Sequence, residues 1–187
     1  MIVGLGNPGP EFADTRHNVG YRCVDSLARR YAAAWQDRTA SLSSLAAVVR
    51  PSADRPLILA KPHTFMNRSG RAVRDLAAFL HLDSDQILVV YDDMDLPPGT
   101  LRLRERGSPG THNGMRSVVA EMGSEAIPRL RIGIGQASPG DASGHVLSEF
   151  APSERDRVDE LIERAADAAL AWAMNGAAVA MNRYNKT

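Results

Sequence analysis

The chain is poor in lysine and cysteine, carries no net charge and contains no long apolar run. Lys61 and Lys186 are the only lysines among 22 basic residues, an arginine bias read here as genome composition and not as function. The 22 acidic residues cancel that charge, so the overall field draws no polyanion and any such partner must meet a local patch. A single cysteine, Cys23, excludes a disulfide framework and reads as a buried structural thiol, which fits a reducing cytoplasm. No charged segment leads into an apolar one near the start, and no apolar run approaches the roughly 20 residues that span a bilayer. A soluble, unexported protein with no membrane partner is expected. At 187 residues, the chain suits one domain with one good core.

What is present is an alternation of strand-like and helix-like segments, the mark of an α/β fold. Met1-Ile2-Val3 reads as a first strand, and Val19, Cys23, Val24, Leu27 and Ala28 recur at helical spacing after it. Strands are expected at 42–50 and 57–61, a helix at 69–82 and a strand at 86–92. Ile87-Leu88-Val89-Val90 is apolar at consecutive positions and so belongs near the sheet's centre. Thr100-Leu101-Arg102-Leu103-Arg104 alternates instead, which predicts an edge or an exposed face. A short helix at 113–122 and a strand at 130–135 follow. The Gly/Ser/Pro-rich stretch from Gln136 to Gly144 reads as a loop able to act as a lid. Ser153 is expected to cap a long amphipathic helix whose buried stripe is Val158, Leu161, Ile162, Ala165 and Ala169. No repeat or low-complexity tract interrupts this order.

The chemistry gathers at strand ends. Gly6-Asn7-Pro8-Gly9 cannot run straight from strand into helix, because Pro8 fixes φ and lacks a donor; Asn7 is thereby presented at the strand's carboxyl edge, with His17 at the mouth of the next helix. Gly4-Leu5-Gly6-Asn7-Pro8-Gly9 matches a dinucleotide fingerprint, but the polar stretch from Glu11 to Arg16 denies the immediate helix N-terminus that holds a pyrophosphate, and Asp25 lies within a helix pattern where an acid at a second strand's end is required. Asp92-Asp93-Met94-Asp95 follows the central strand. It reads as a Mg²⁺ site, as a single aspartate orienting His17, or as caps for the turn before Pro97-Pro98.

Asn67 and Asn113 stand, like Asn7, at junctions leading into helices. Each suits a helix cap, and each equally suits recognition of peptide backbone or of an ester oxygen gaining charge. No G-x-S-x-G occurs and Ser69 has no adjacent base motif, so water activated by His17 is the expected nucleophile. His63, His81, His112 and His145 lack zinc-type spacing, and His81 reads as a helix-end residue. Between residues 102 and 131 six arginines (102, 104, 106, 116, 129 and 131) outnumber three glutamates, a local excess of three positive charges that weakly suggests phosphate binding.

Together, Val3-Gly4-Leu5-Gly6-Asn7-Pro8-Gly9, Thr15-Arg16-His17-Asn18, Lys61-Pro62 with Thr64-Phe65-Met66-Asn67-Arg68-Ser69-Gly70, Asp92 to Gly99, Gly107-Ser108, His112-Asn113-Gly114 and Leu130-Arg131-Ile132-Gly133-Ile134-Gly135 resemble the bacterial peptidyl-tRNA hydrolase family over nearly the whole chain. The resemblance implies a single-domain three-layer α/β sandwich, with a twisted, mixed and largely parallel sheet and helices on both faces. It also implies a monomeric cytoplasmic esterase, without metal or cofactor, that frees tRNA from peptidyl-tRNA. Carried over, His17 is the base, Asp92 its orienting partner and Asn7 a catalytic amide. Asn67 and Asn113 position substrate, and Met66, Phe12 and Phe65 line the substrate pocket. Arg104 and Arg131 hold the tRNA 5′-phosphate, and residues 136–150 form a flexible gate. Phe12 replaces a usual tyrosine and Thr111 a frequent glycine. Two other functions compete: a Mg²⁺-dependent phosphoesterase built on Asp92, Asp93 and Asp95, and a protein that binds tRNA acceptor stems without cleaving them.

Overall fold

Successive side chains of a strand point to opposite faces, and in β1 (Ile2–Gly4) both directions are apolar: Ile2 enters one hydrophobic core and Val3 a second. β5 (Leu88–Asp93) repeats this, with Leu88 and Val90 in the first core and Val89 and Tyr91 in the second. Strands buried on both faces belong inside a parallel sheet. The computed structural model, which describes residues 1–185, pairs β1 and β5 in parallel as neighbours.

Five further strands complete one seven-stranded sheet: β2 (Gln36–Arg38), β3 (Ser44–Ser52), β4 (Arg55–Pro62), β6 (Leu101–Arg104) and β7 (Arg129–Gly133). Their order is β2-β3-β4-β1-β5-β7-β6. The four inner strands β4, β1, β5 and β7 are parallel, and β2, β3 and β6 join antiparallel at the flanks. On the first face lie α1 (Val19–Arg30), α6 (Arg155–Asn175) and α7 (Ala177–Tyr184), through residues such as Val24, Leu161 and Ala180. On the second lie α3 (Ser69–Leu80) and α4 (Asn113–Met122), through Val73, Leu76, Met115 and Val118. This is the expected three-layer α/β sandwich with a mixed sheet. No helix among the described residues is long and apolar enough to cross a membrane.

The glycines of the first motif serve packing. A Cβ on Gly20 would stand 2.4 Å from the Val90 carbonyl oxygen, and one on Gly4 2.1 Å from the Gly20 oxygen. α1 therefore rests backbone to backbone on β1 and β5, which fixes the turn just before it, where His17 lies. Pro10–Phe12 forms a 3-10 turn where a dinucleotide fold would open a helix. Cys23 faces the core, and burial pushes its thiol up to about 12.

β6 is an edge strand with Leu101 and Leu103 buried and Arg104 exposed, as its alternation predicts. His81 ends α3 in the left-handed region at φ 53, a helix-end residue as expected. Several boundaries differ. The strand expected at 42–50 begins at Ser44, because Thr39–Leu42 coils into the short helix α2. Ser153 does not cap the long helix: it lies within the 3-10 turn Pro152–Glu154, and Glu154 accepts the Ala151 N–H at 2.8 Å before α6 begins. Gly176, at φ 87, then divides the C-terminal helix in two. The stretch expected as loop to Gly144 coils from Ala142 into α5 (Ala142–Leu147).

Candidate active site

The chain leaving β1 is locked to the turn Arg16–Asn18 by a reciprocal amide pair. The Asn7 N–H donates to Asn18 Oδ1 at 2.8 Å, and Asn18 Nδ2 donates to the Asn7 carbonyl at 3.0 Å. Asn7 Oδ1 in turn accepts the Met66 N–H at 2.9 Å. With that oxygen engaged, Asn7 presents Nδ2, a donor, to the cleft it lines. Sequence reasoning does not single out Asn18 beyond its motif; the signal that could find it is the one that marks Asn7, a carboxamide at a turn.

His17 Nδ1 donates to Asp92 Oδ1 at 2.7 Å, across 75 residues of chain. Both groups are buried, Asp92 at 1% exposure at the end of β5. The contact fixes the tautomer and leaves His17 Nε2 with its lone pair. The same Asp92 oxygen accepts His112 Nε2 at 3.0 Å, while His112 Nδ1 accepts the Met115 N–H at 3.1 Å as the cap of α4. Burial alone would push the Asp92 carboxyl up; the hydrogen bonds it accepts from His112 and His17 outweigh that push and hold the group well below the usual carboxylate range. His112 was not among the predicted site residues, and it takes the capping role considered for Asn113. Its place at a turn-to-helix junction beside Asn113 is the sequence signal that could have found it.

These groups open into a cleft of about 800 Å³. Exposed Asn67 and Asn113 line it, with Phe65 and the buried Met66. Phe12 is absent from the lining but meets Phe65 edge-on, ring centroids 6.5 Å apart at 87°. The structure thus brings Asn7, His17, Asp92, Asn67, Asn113, Met66 and Phe65 to one cavity, with Phe12 behind Phe65. Val146 and Leu147 of α5 line the cleft as well. The segment after α5 is tied to the turn that carries His17: the Arg16 N–H donates to the Ser148 carbonyl at 2.9 Å, and the Arg16 guanidinium pairs with Glu154 at 2.7 Å and lies 4.3 Å from the Phe150 ring centre. Ser69 is buried at the start of α3, and no hydroxyl among the described residues hydrogen-bonds to His17.

The three aspartates do not converge. Neighbours on a strand face opposite ways, so Asp92 meets the histidines while Asp93 pairs with Arg131 and accepts the Asp95 N–H at 2.8 Å. Asp92 alone of the three joins imidazoles, in the set His17, Asp92 and His112, whose possible ligand atoms lie within 4.8 Å of one another. A metal on His112 Nε2 would require a proton on Nδ1, the atom that already accepts the Met115 N–H, so the donor chemistry does not fit that set to a metal.

The basic stretch is more varied than its count. Register places Arg102 opposite Arg131 and Arg104 opposite Arg129, so all four share one sheet face. Like charges directly across a sheet are destabilising unless compensated. Buried Arg129 donates to the carbonyls of Gly107 at 2.6 Å, Ser108 at 3.1 Å, Glu125 at 2.9 Å and Ile127 at 2.9 Å, holding the loop that leads to His112. Burial lowers its affinity for its proton. Arg131 is held by Asp93, and Arg116 Nε by the Gly110 carbonyl at 2.9 Å. Exposed Arg104 lines the cleft and has no acidic partner among the described residues.

A three-layer α/β fold that sets a histidine–aspartate pair in an open cleft has the parts a hydrolase needs, a base with its orienting acid beside room for a substrate. The family model described as peptidyl-tRNA hydrolase matches residues 1–187. A peptidyl-tRNA hydrolase of Chloroflexus aggregans is 48% identical over 188 residues, covering 99% of this chain and 98% of its own, and one of Syntrophomonas wolfei is 45% identical over 185 residues, covering 99% of each. The crystal structure of peptidyl-tRNA hydrolase from Acinetobacter baumannii superposes with a TM-score of 0.91 at 35% identity, over 98% of this chain and 93% of that one. The chain belongs to the peptidyl-tRNA hydrolase family.

Proposed function

We propose that the chain hydrolyses the ester joining a peptide's terminal carbonyl to the 3′ ribose of tRNA, and that His17, oriented by Asp92, is its base. The observation that carries this reading is the 2.7 Å contact from His17 Nδ1 to Asp92, which leaves Nε2 as the free acceptor in the cleft. Nε2 removes a proton from water as the water oxygen bonds to the ester carbon. The carbonyl oxygen then gains charge and is met by amide donors, Asn7 Nδ2 first, with Asn67 and Asn113 aligning the peptide backbone. Collapse breaks the bond to the ribose oxygen, which takes the proton back from His17; the peptide leaves as an acid and the tRNA with a free hydroxyl. Asp92 stays ionised throughout and stabilises the imidazolium. Phe65, backed by Phe12, and Met66 form the apolar wall for substrate.

Arg104 and Arg131 hold the 5′-phosphate of the acceptor stem, a role supported by the arginines crowded on one face of β6 and β7. Residues 136–150, with α5 among them, form the gate. A monomer working in the cytoplasm, without metal, completes the reading.

The test is cleavage of N-blocked aminoacyl-tRNA beside the unblocked form, with and without EDTA. Cleavage of the blocked form that resists EDTA is expected. Loss in EDTA, with the tRNA still folded, would restore the metal-dependent alternative; stable binding without turnover would leave only a binder.

Replacing Arg104 by alanine should weaken tRNA binding at low salt. It should also reduce the slope of log K against log salt by about one. Binding isotherms across a salt series measure this, and a slope equal to the parent's would contradict the clamp.

A further inference from the structure

β6 is the outermost strand at its end of the sheet, and an edge strand exposes backbone donors and acceptors on its outer side. Here that side is occupied by one carboxamide. Asn185, just past the end of α7, accepts the Leu103 N–H on Oδ1 at 2.6 Å and donates from Nδ2 to the Leu103 carbonyl at 3.0 Å. Its own backbone carbonyl accepts Arg102 Nη1 at 3.0 Å. Leu103 is thus gripped on both sides, by β7 through its neighbours and by Asn185 directly, with Arg102 and Arg104 on either flank.

Without that grip, the outer backbone groups of Leu103 would lack partners, and the placing of Arg104 would rest on β7 and on the packing of Leu101 and Leu103 in the core. Arg104 also stands across from Arg129, a like-charged pair that favours splaying. The tie from Arg102 to the Asn185 carbonyl further draws one of the four arginines away from the cluster.

We propose that Asn185 is a positioning residue for the phosphate site: its carboxamide stands in for an eighth strand, fixes the β6 backbone at Leu103 and so sets where Arg104 meets the terminal phosphate. This rests on the reading that Arg104 and Arg131 bind a 5′-phosphate. It assigns to the end of the C-terminal helix a part in substrate recognition far from the ester bond.

The experiment is steady-state cleavage of N-blocked aminoacyl-tRNA bearing either a 5′-phosphate or a 5′-hydroxyl, by the parent, Asn185→Ala and Asn185→Asp. The aspartate retains an acceptor for the Leu103 N–H but sets a charged oxygen against the Leu103 carbonyl, so it breaks half of the grip at nearly constant side-chain size and is expected to raise KM in the same direction should the alanine variant fold poorly. The parent is expected to favour the phosphorylated substrate. Asn185→Ala is expected to raise KM for that substrate about threefold to tenfold, the worth of roughly one ordinary hydrogen bond and so a partial loss of the Arg104 contact to phosphate, with kcat unchanged and with no change on the 5′-hydroxyl substrate. Amide hydrogen exchange at Leu103 should accelerate in parallel. Equal effects on both substrates, or faster exchange at Leu103 with no change in KM, would overturn the proposal while leaving the clamp standing. A parent that ignores the 5′-phosphate would overturn the clamp, and the proposal with it.

Discussion

His17→Ala is expected to lower kcat by about 10²–10⁴, the usual worth of a positioned general base, while leaving tRNA affinity close to the parent's. The two effects separate because of where the groups lie. His17 is fixed by Asp92 and faces the cleft near Asn7, whereas the arginines crowd the face of β6 and β7. Single-turnover cleavage together with equilibrium binding to uncleaved substrate checks both at once. Retention of most turnover in the alanine variant would end the assignment of His17, and a parallel collapse of binding would mean that the turn Arg16–Asn18 serves the tRNA and not the chemistry.

Asp92→Asn should be nearly as severe, with kcat falling by up to about 10⁴, as for an orienting aspartate replaced by its amide. In the parent, one carboxylate oxygen accepts from both His17 Nδ1 and His112 Nε2. An amide turned with its NH₂ toward His17 would demand the lone pair of Nδ1 and drive the proton onto Nε2, so the base would be lost although the ring stayed in place. Even with its oxygen toward the histidines, the amide would lack the charge that stabilises the imidazolium. A variant retaining near-parent kcat would show that Asp92 only fastens the fold.

The same carboxylate sets a pH limit. Its pKa in the folded protein is depressed, because the bonds from His112 and His17 outweigh the upward push of burial. A depressed carboxyl contributes stability that is fully present above the unfolded value of about 4. That contribution is lost as pH falls from there toward the lower folded value. Chemical denaturation across this range should show an acid limb in the parent that is reduced in Asp92→Asn.

Much of the framework was legible in the residues alone because burial is a local, periodic quantity. Apolar side chains at consecutive positions in Leu88-Val89-Val90 required cover on both faces, and the stripe Val19, Cys23, Val24, Leu27 required a helix lying on the sheet. The alternation Leu101-Arg102-Leu103-Arg104 pointed to an edge or an exposed face, and the strand is an edge. Asn7 and His17 stood out for the same kind of reason, as polar groups where a strand had just ended. Boundaries set by single capping contacts were less legible: Glu154, and not Ser153, takes up the free backbone donor before α6, a choice that also depends on Arg16 in a distant turn.

Tertiary structure alone decided the partners. Two histidines share one oxygen of Asp92 only because the ends of β1 and β5 are brought side by side and the loop before α4 returns to the same edge. Arg129 reads from its spacing like Arg131 and shares its sheet face, yet the loops at residues 107–108 and 125–127 cover it, and it donates to four of their carbonyls. Asp92 and Asp93 are adjacent in the chain and separated by the pleat. Composition and periodicity determine which side chains must leave water. Which polar group answers which depends on how distant chain segments cross at one end of the sheet, and only the assembled fold sets those distances.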